Sequence, residues 1–134
     1  MTFYSWSADL SVGNAAIDED HRELIGLINR LHAAMERGRG GLIMNEVLAE
    51  LIDYVDAHFK REEDYMHKLL YVGFTEHKKE HQVFMRQVQS LQSAAAEGIL
   101  SMAVPTLLVM RDWLTRHILQ SDRALADTIR NAPA

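Results

Sequence analysis

Cysteine is absent from this chain of 134 residues. That removes disulfides, thiolate nucleophiles, zinc fingers and cysteine-ligated iron–sulfur clusters together. Proline occurs only twice and glycine seven times, so little stands in the way of long helices. The longest apolar run, Met102 to Met110, contains Pro105 and Thr106, and it is far shorter than the ~20 residues that span a bilayer. Basic charge is not in excess: the net charge is −5, with no basic patch, which argues against non-specific nucleic-acid binding. The start, Met1-Thr2-Phe3-Tyr4-Ser5-Trp6, has neither a basic n-region nor an apolar h-region. No signal peptide is therefore expected, and the expected compartment is the cytoplasm.

What is present is ordinary for a globular protein, with 48 % apolar and 25 % charged residues. The length suits one domain spanning residues 1–134 with a core of its own. The unusual count is seven histidines against two prolines.

The apolar residues fall into four stripes with alternating steps of four and three, the period of an amphipathic helix. Asp18 is the expected N-cap of a first helix over about 18–37, with the row Ile17, His21, Leu24, Ile28, Leu31, Met35. Gly38-Arg39-Gly40-Gly41 breaks it. A second helix over about 44–70 carries Leu48, Ile52, Val55, Phe59, Glu62, Met66 and Leu69. After Tyr71-Val72-Gly73, Thr75 is positioned to cap a third helix over about 75–97, with His77, His81, Phe84, Val88, Leu91 and Ala95 in its row. Gly98 ends it, and Ser101 can cap a fourth helix over about 102–120, with Leu107, Met110, Leu114, His117 and Ser121. Pro105 is tolerated there because first-turn residues need no N–H partner. Residues 1–17 read as an irregular arm laid on the bundle by Tyr4 and Trp6, and 123–134 as a tail whose first part, Arg123 to Arg130, is helical. The expected fold is all-α: an up-down-up-down antiparallel four-helix bundle with an N-terminal arm and a short C-terminal helix.

His21, Glu62, His77, His81 and His117 occupy core rows, and His58 directly precedes the core position Phe59. Buried imidazoles and carboxylates are costly unless bonded or bound to metal. In an antiparallel bundle the start of helix one, the end of two, the start of three and the end of four share one end, so all six fall in one layer. His58 and Glu62, and likewise His77 and His81, are i, i+4 pairs about 6 Å apart on one helix face. Asp122 follows His117 by five residues, about 140° off the same face of a regular helix. For both to serve one site the helix must loosen or end between them. Five imidazoles with two carboxylates exceed what one zinc ion takes, and mixed nitrogen and oxygen ligation suits a carboxylate-bridged pair of first-row metals, iron foremost.

Over essentially its whole length the sequence resembles a bacterial hemerythrin. The matching motifs are Ile17-Asp18-Glu19-Asp20-His21, His58-Phe59-Lys60-Arg61-Glu62-Glu63, His77-Lys78-Lys79-Glu80-His81 and His117-Ile118-Leu119-Gln120-Ser121-Asp122. The resemblance implies two non-haem iron ions. His77, His81 and His117 would bind one, and His21 and His58 the other. Glu62 and Asp122, with an oxo or hydroxo group, would bridge them, and dioxygen would bind reversibly at the two-histidine iron. Reversibility needs a dry pocket without a stray acid, and Leu24, Ile25, Phe59 and Leu114, each within a turn of a ligand, are the expected lining. Tyr54 sits one turn before His58 but reads as a bundle-edge tyrosine with its hydroxyl in water. The stretch Lys60 to Asp64 reads as a solvated face apart from Glu62, and His32 and His67 are left unassigned.

The function implied is oxygen storage, buffering or delivery rather than catalysis. The expected partners are dioxygen and, for delivery, an oxygen-consuming enzyme, with no nucleic acid, no membrane insertion and a monomeric state. The alternatives are a sensor of oxygen, nitric oxide or redox state that acts through a separate partner, and a di-iron peroxidase or oxidase. Oxygen-activating di-iron bundles use more carboxylates and fewer histidines, which places the five histidines here on the side of binding.

Overall fold

The computed structural model describes residues 3–36, 42–97 and 103–132. Within them the chain runs through a short 3₁₀ turn at Ala8–Leu10, then α1 (Ala15–Glu36), α2 (Leu42–Lys68), α3 (Phe74–Ala96) and α4 (Ala103–His117). A π-helical turn, Ile118–Asp122, leads without a break into α5 (Arg123–Asn131). No strand occurs among the described residues, and α1, α2, α3 and α4 pack in that order around an antiparallel four-helix bundle, with α4 closing onto α1. The breaks at Gly38-Arg39-Gly40-Gly41 and Gly98, and the Ser101 cap, lie outside the described residues.

The stripes become the core. All six row residues of α1 and all six of α3 are buried. In α2, Leu48, Val55, Phe59, Glu62 and Met66 are buried, while Ile52 and Leu69 are half-buried. Leu107, Met110 and Leu114 of α4 meet them from the fourth side. Phe84, fully buried, sits against Phe59 at 6.0 Å and Trp113 at 4.8 Å between ring centroids, and so forms an aromatic layer beside the polar end.

Several helix ends differ from expectation. α4 stops at His117, where the π-helical turn takes over, rather than near 120, and α2 starts at Leu42 rather than near 44. Three other ends differ for local reasons. α1 begins at Ala15, and Asn14 caps it, its Oδ1 accepting the Ile17 N–H at 3.1 Å. Asp18 instead turns back to the arm, accepting the Val12 N–H at 2.9 Å and the Ser11 hydroxyl at 2.6 Å. α3 starts one residue before Thr75, at Phe74, and Gly73 occupies its N-cap without a side-chain bond. α2 closes in a Schellman motif: the Tyr71 N–H donates to Met66 O at 2.9 Å and the Leu70 N–H to His67 O at 3.2 Å. The left-handed position there, φ 51°, is held by Leu70, not glycine, at a strain of about 1–2 kcal/mol.

The arm is tied down by specific contacts. Tyr4 is buried, its hydroxyl 2.6 Å from Thr115 Oγ1, and Asn29 bonds both its N–H and its carbonyl. Phe3 stacks on His32 at 4.3 Å, and the Arg22 guanidinium lies over Trp6.

Candidate metal centre

At the end of the bundle where α1 and α3 begin and α2 and α4 finish, the seven residues expected as ligands come together. His21, His58, Glu62, His77, His81, His117 and Asp122 are each no more than 2 % exposed. Their donor atoms form two overlapping groups, each with all atoms within 4.8 Å of one another. One holds His77, His81, His117, Glu62 and Asp122, and the other His21, His58, Glu62 and Asp122. The two carboxylates belong to both.

The π-helical turn makes this possible. The extra residue in the turn takes up about 100° and so cuts the 140° offset that a regular helix would leave between His117 and Asp122 to roughly 40°, and His117 Nε2 stands 3.0 Å from Asp122 Oδ1. The same insertion carries Ser121 out of the α4 stripe, where its hydroxyl donates to Glu80 at 2.7 Å.

Hydrogen positions decide whether the atoms suit cations. A neutral imidazole has one N–H, and a carboxylate only accepts. His58 Nδ1 donates to Asp20 at 2.8 Å, His81 Nδ1 to Glu63 at 3.1 Å, and His117 Nδ1 to Glu80 at 2.7 Å. Each ring therefore turns an Nε2 lone pair inward. There it meets carboxylate oxygens: His81 Nε2 is 2.9 Å from Glu62 Oε1, and His117 Nε2 is 3.0 Å from Asp122 Oδ1. Lone pair facing lone pair at such distances needs a proton or a metal ion between them. His77 Nε2, His117 Nε2, Glu62 Oε2 and Asp122 Oδ1 have no aligned hydrogen-bond partner among the described residues. The donor set fits a pair of divalent first-row cations.

Proton affinities diverge across the cluster. Burial pushes the Glu62 carboxyl well up, with the neighbouring Asp122 charge adding to it. Burial acts the same way on Asp122, but the His117 charge, the His21 bond and the close approach of the His117 and His77 nitrogens outweigh it and hold that carboxyl down. His117 is pulled down by burial yet raised to about 9 by Asp122 and by its bond to Glu80, whereas burial and the neighbouring imidazoles lower His81 to about 2. At neutral pH a proton thus sits on His117, and a metal ion must displace it. Loading the metal-free protein with ferrous iron at pH 7 is expected to release the His117 proton, with affinity rising as pH climbs towards about 9. Titration calorimetry in buffers of different ionisation enthalpy measures this; heats independent of the buffer would contradict it.

The acids that bond the Nδ1 atoms were not singled out in the sequence. Asp20 adjoins His21, Glu63 adjoins Glu62 and Glu80 adjoins His81, yet each serves a histidine on the next helix. With the contact of His21 Nε2 to Asp122 Oδ2 at 2.8 Å, a closed ring of imidazole–carboxylate bridges runs from α1 through α2, α3 and α4 back to α1. Tyr54 is not in water: its hydroxyl donates to Asp20 Oδ1 at 3.0 Å. Nor is Lys60 to Asp64 merely a solvated face, since Arg61 grips Asp20 through two nitrogens and Glu63 bonds His81.

Leu24, Ile25, Phe59 and Leu114 are all buried. Phe59 stacks face to face on His81, 3.8 Å between centroids at 4°, and lies 5.8 Å from His58. Trp113, which sequence reasoning passed over, stacks on the other flank at 4.5 Å from His117. His32 is stacked on Phe3 and His67 is exposed; neither belongs to the two donor groups.

Fold and site together define a helical bundle whose buried end is built to hold cations. The model of the hemerythrin HHE cation binding domain matches residues 12–129, and the chain belongs to that family. A bacteriohemerythrin of Stenotrophomonas maltophilia is 36 % identical over 97 % of this chain and 84 % of its own length. One of Methylococcus capsulatus is 32 % identical over 92 % and 94 %. A crystal structure of wild-type hemerythrin superposes with a TM-score of 0.80 at 29 % identity, covering 95 % of this chain and 98 % of that one. Among the described residues, no helix is long and apolar enough to cross a membrane.

Proposed function

We propose that this chain binds dioxygen reversibly at a di-iron centre and serves as an oxygen store, buffer or carrier, not as an enzyme. The observation that carries the reading is the asymmetry of the donor groups, three histidines on one side and two on the other, with Glu62 and Asp122 shared. The two-histidine side offers fewer protein ligands and so leaves room for a small exogenous ligand. A bound ferrous pair would supply the electrons that make dioxygen ligation strong yet reversible.

The chain's own residues do the rest. His77, His81 and His117 would hold one ion and His21 and His58 the other, with the Glu62 and Asp122 carboxylates, common to both donor groups, shared between them. Leu24, Ile25, Phe59 and Leu114 keep bulk water from the ligand pocket. The acids nearest the cluster, Asp20, Glu63 and Glu80, are each engaged by an Nδ1–H on the ring edge remote from the inward lone pair. None is free to deliver a proton to the bound ligand. That favours reversible binding over bond cleavage.

Iron-loaded protein, reduced without air and then titrated with dioxygen, is expected to develop a ligand-to-iron absorption band that disappears when oxygen is withdrawn. A metal count made on the same sample should give two irons per chain, one for each donor group. A band that never reverses, or catalytic turnover of peroxide, would overturn the reading.

A further inference from the structure

Tyr54, His58 and Arg61 lie one turn apart on one face of α2 and meet a single residue of α1, Asp20. The Asp20 carboxylate, 11 % exposed, takes four hydrogen bonds. Oδ2 accepts His58 Nδ1–H at 2.8 Å and Arg61 Nε–H at 3.1 Å, and Oδ1 accepts the second guanidinium nitrogen at 2.5 Å and the Tyr54 hydroxyl at 3.0 Å. The bidentate guanidinium fixes the plane of the carboxylate, and with it the plane of the imidazole.

The two halves of the centre differ in what stands behind their histidines. On the three-histidine side, two rings have a carboxylate acceptor, Glu63 behind His81 and Glu80 behind His117. On the two-histidine side, His21 Nδ1 has no hydrogen-bond partner among the described residues, so Asp20 is the one acceptor there. A carboxylate drawing on an imidazole N–H raises the electron density at the opposite nitrogen and so the strength of that ligand. Donors that compete for the same carboxylate weaken the pull. Tyr54 donates to one oxygen and Arg61 to both.

We propose that Asp20 is a positioning residue that sets the donor strength of His58, and that Tyr54 and Arg61 moderate it, so that this cluster tunes the reduction potential of the two-histidine half. The proposal rests on the di-iron reading above. It predicts opposite signs for two small changes. Asp20→Asn keeps an oxygen acceptor but removes the charge, weakening His58 as a donor and favouring the reduced metal. Tyr54→Phe removes a competitor, strengthens the pull on His58 and favours the oxidised metal.

The test is an anaerobic redox titration of the iron-loaded wild type, Asp20→Asn and Tyr54→Phe, with iron counted per chain and released iron followed on a ferrous chelator. Asp20→Asn should shift the oxidised-to-reduced equilibrium about ten-fold towards reduced, which is 59 mV for a one-electron step. Tyr54→Phe should move it the other way. Asp20→Ala should release one of the two ions roughly 10–100-fold more readily while the other stays. Equal potentials, or shifts of the same sign, overturn the proposal while leaving the di-iron reading intact. A wild type that binds fewer than two irons overturns the di-iron reading itself. If Asp20→Asn does not fold, the sign of the Tyr54→Phe shift still decides the matter.

Discussion

On the proposed di-iron reading, replacing Asp122 with alanine is expected to leave a chain that retains at most one iron. Asp122 is fully buried and belongs to both donor groups. Its Oδ1 stands 2.9 Å from His77 Nε2 and 3.0 Å from His117 Nε2, and its Oδ2 2.8 Å from His21 Nε2. Without it the two-histidine side keeps only His21, His58 and Glu62, and nothing but Glu62 remains to screen one cation from the other. The metal-free fold suffers as well. Truncating one partner of a buried charged network costs about 3–5 kcal/mol, a large part of the 5–15 kcal/mol that such domains possess. Urea unfolding of the metal-free variant reads this loss, and iron analysis after desalting reads the stoichiometry. Asp122→Asn, which preserves size, should recover much of the stability but not the second iron. An alanine variant that still carries two irons with unchanged release rates would show that Asp122 does not bridge.

Leu114→Ala should combine a large packing loss with a loss of protection. Leu114 is 1 % exposed, three residues before His117 on α4. Removing a buried leucine to its β-carbon costs about 2–5 kcal/mol through lost burial and the cavity left behind. In the proposed pocket that cavity admits water beside the metal, so the ferrous protein should oxidise faster in air than the wild type. Stability is read by urea unfolding of the metal-free protein, and oxidation by the growth of ferric absorption after mixing with air. A variant that loses stability but oxidises at the wild-type rate would make Leu114 a core residue only.

The bundle was legible because burial imposes a period. Once His21, His77, His81 and His117 stand in rows with leucine and phenylalanine, the antiparallel arrangement alone brings them to one end. The five-residue step from His117 to Asp122 even called for a break in the regular helix, and the π-helical turn at Ile118–Asp122 is that break. Less was legible where the decisive geometry is between helices. Asp20, Glu63 and Glu80 lie about 100° around their helices from the neighbouring inward-facing residue, which is where a solvated charge also lies. Only the position of the adjoining helix distinguishes the two. Asn14 was missed as a cap because Asp18, equally suited by type, is bound to the arm. Tyr54 was misread because its partner lies on α1, thirty-four residues earlier in the chain.

The π-helical turn also ties α5 to the cluster. A residue added to one turn rotates everything beyond it by about 100°, so the register that swings Asp122 inward also fixes which side of α5 faces the bundle. Leu125 and Ala126 are buried in that register. Docking of the last helix and seating of the shared carboxylate are thus one conformational variable, not two. On the proposed reading, cations that favour the seated carboxylate also favour a docked α5, and an α5 pried loose from the bundle would weaken their hold from beyond the cluster itself.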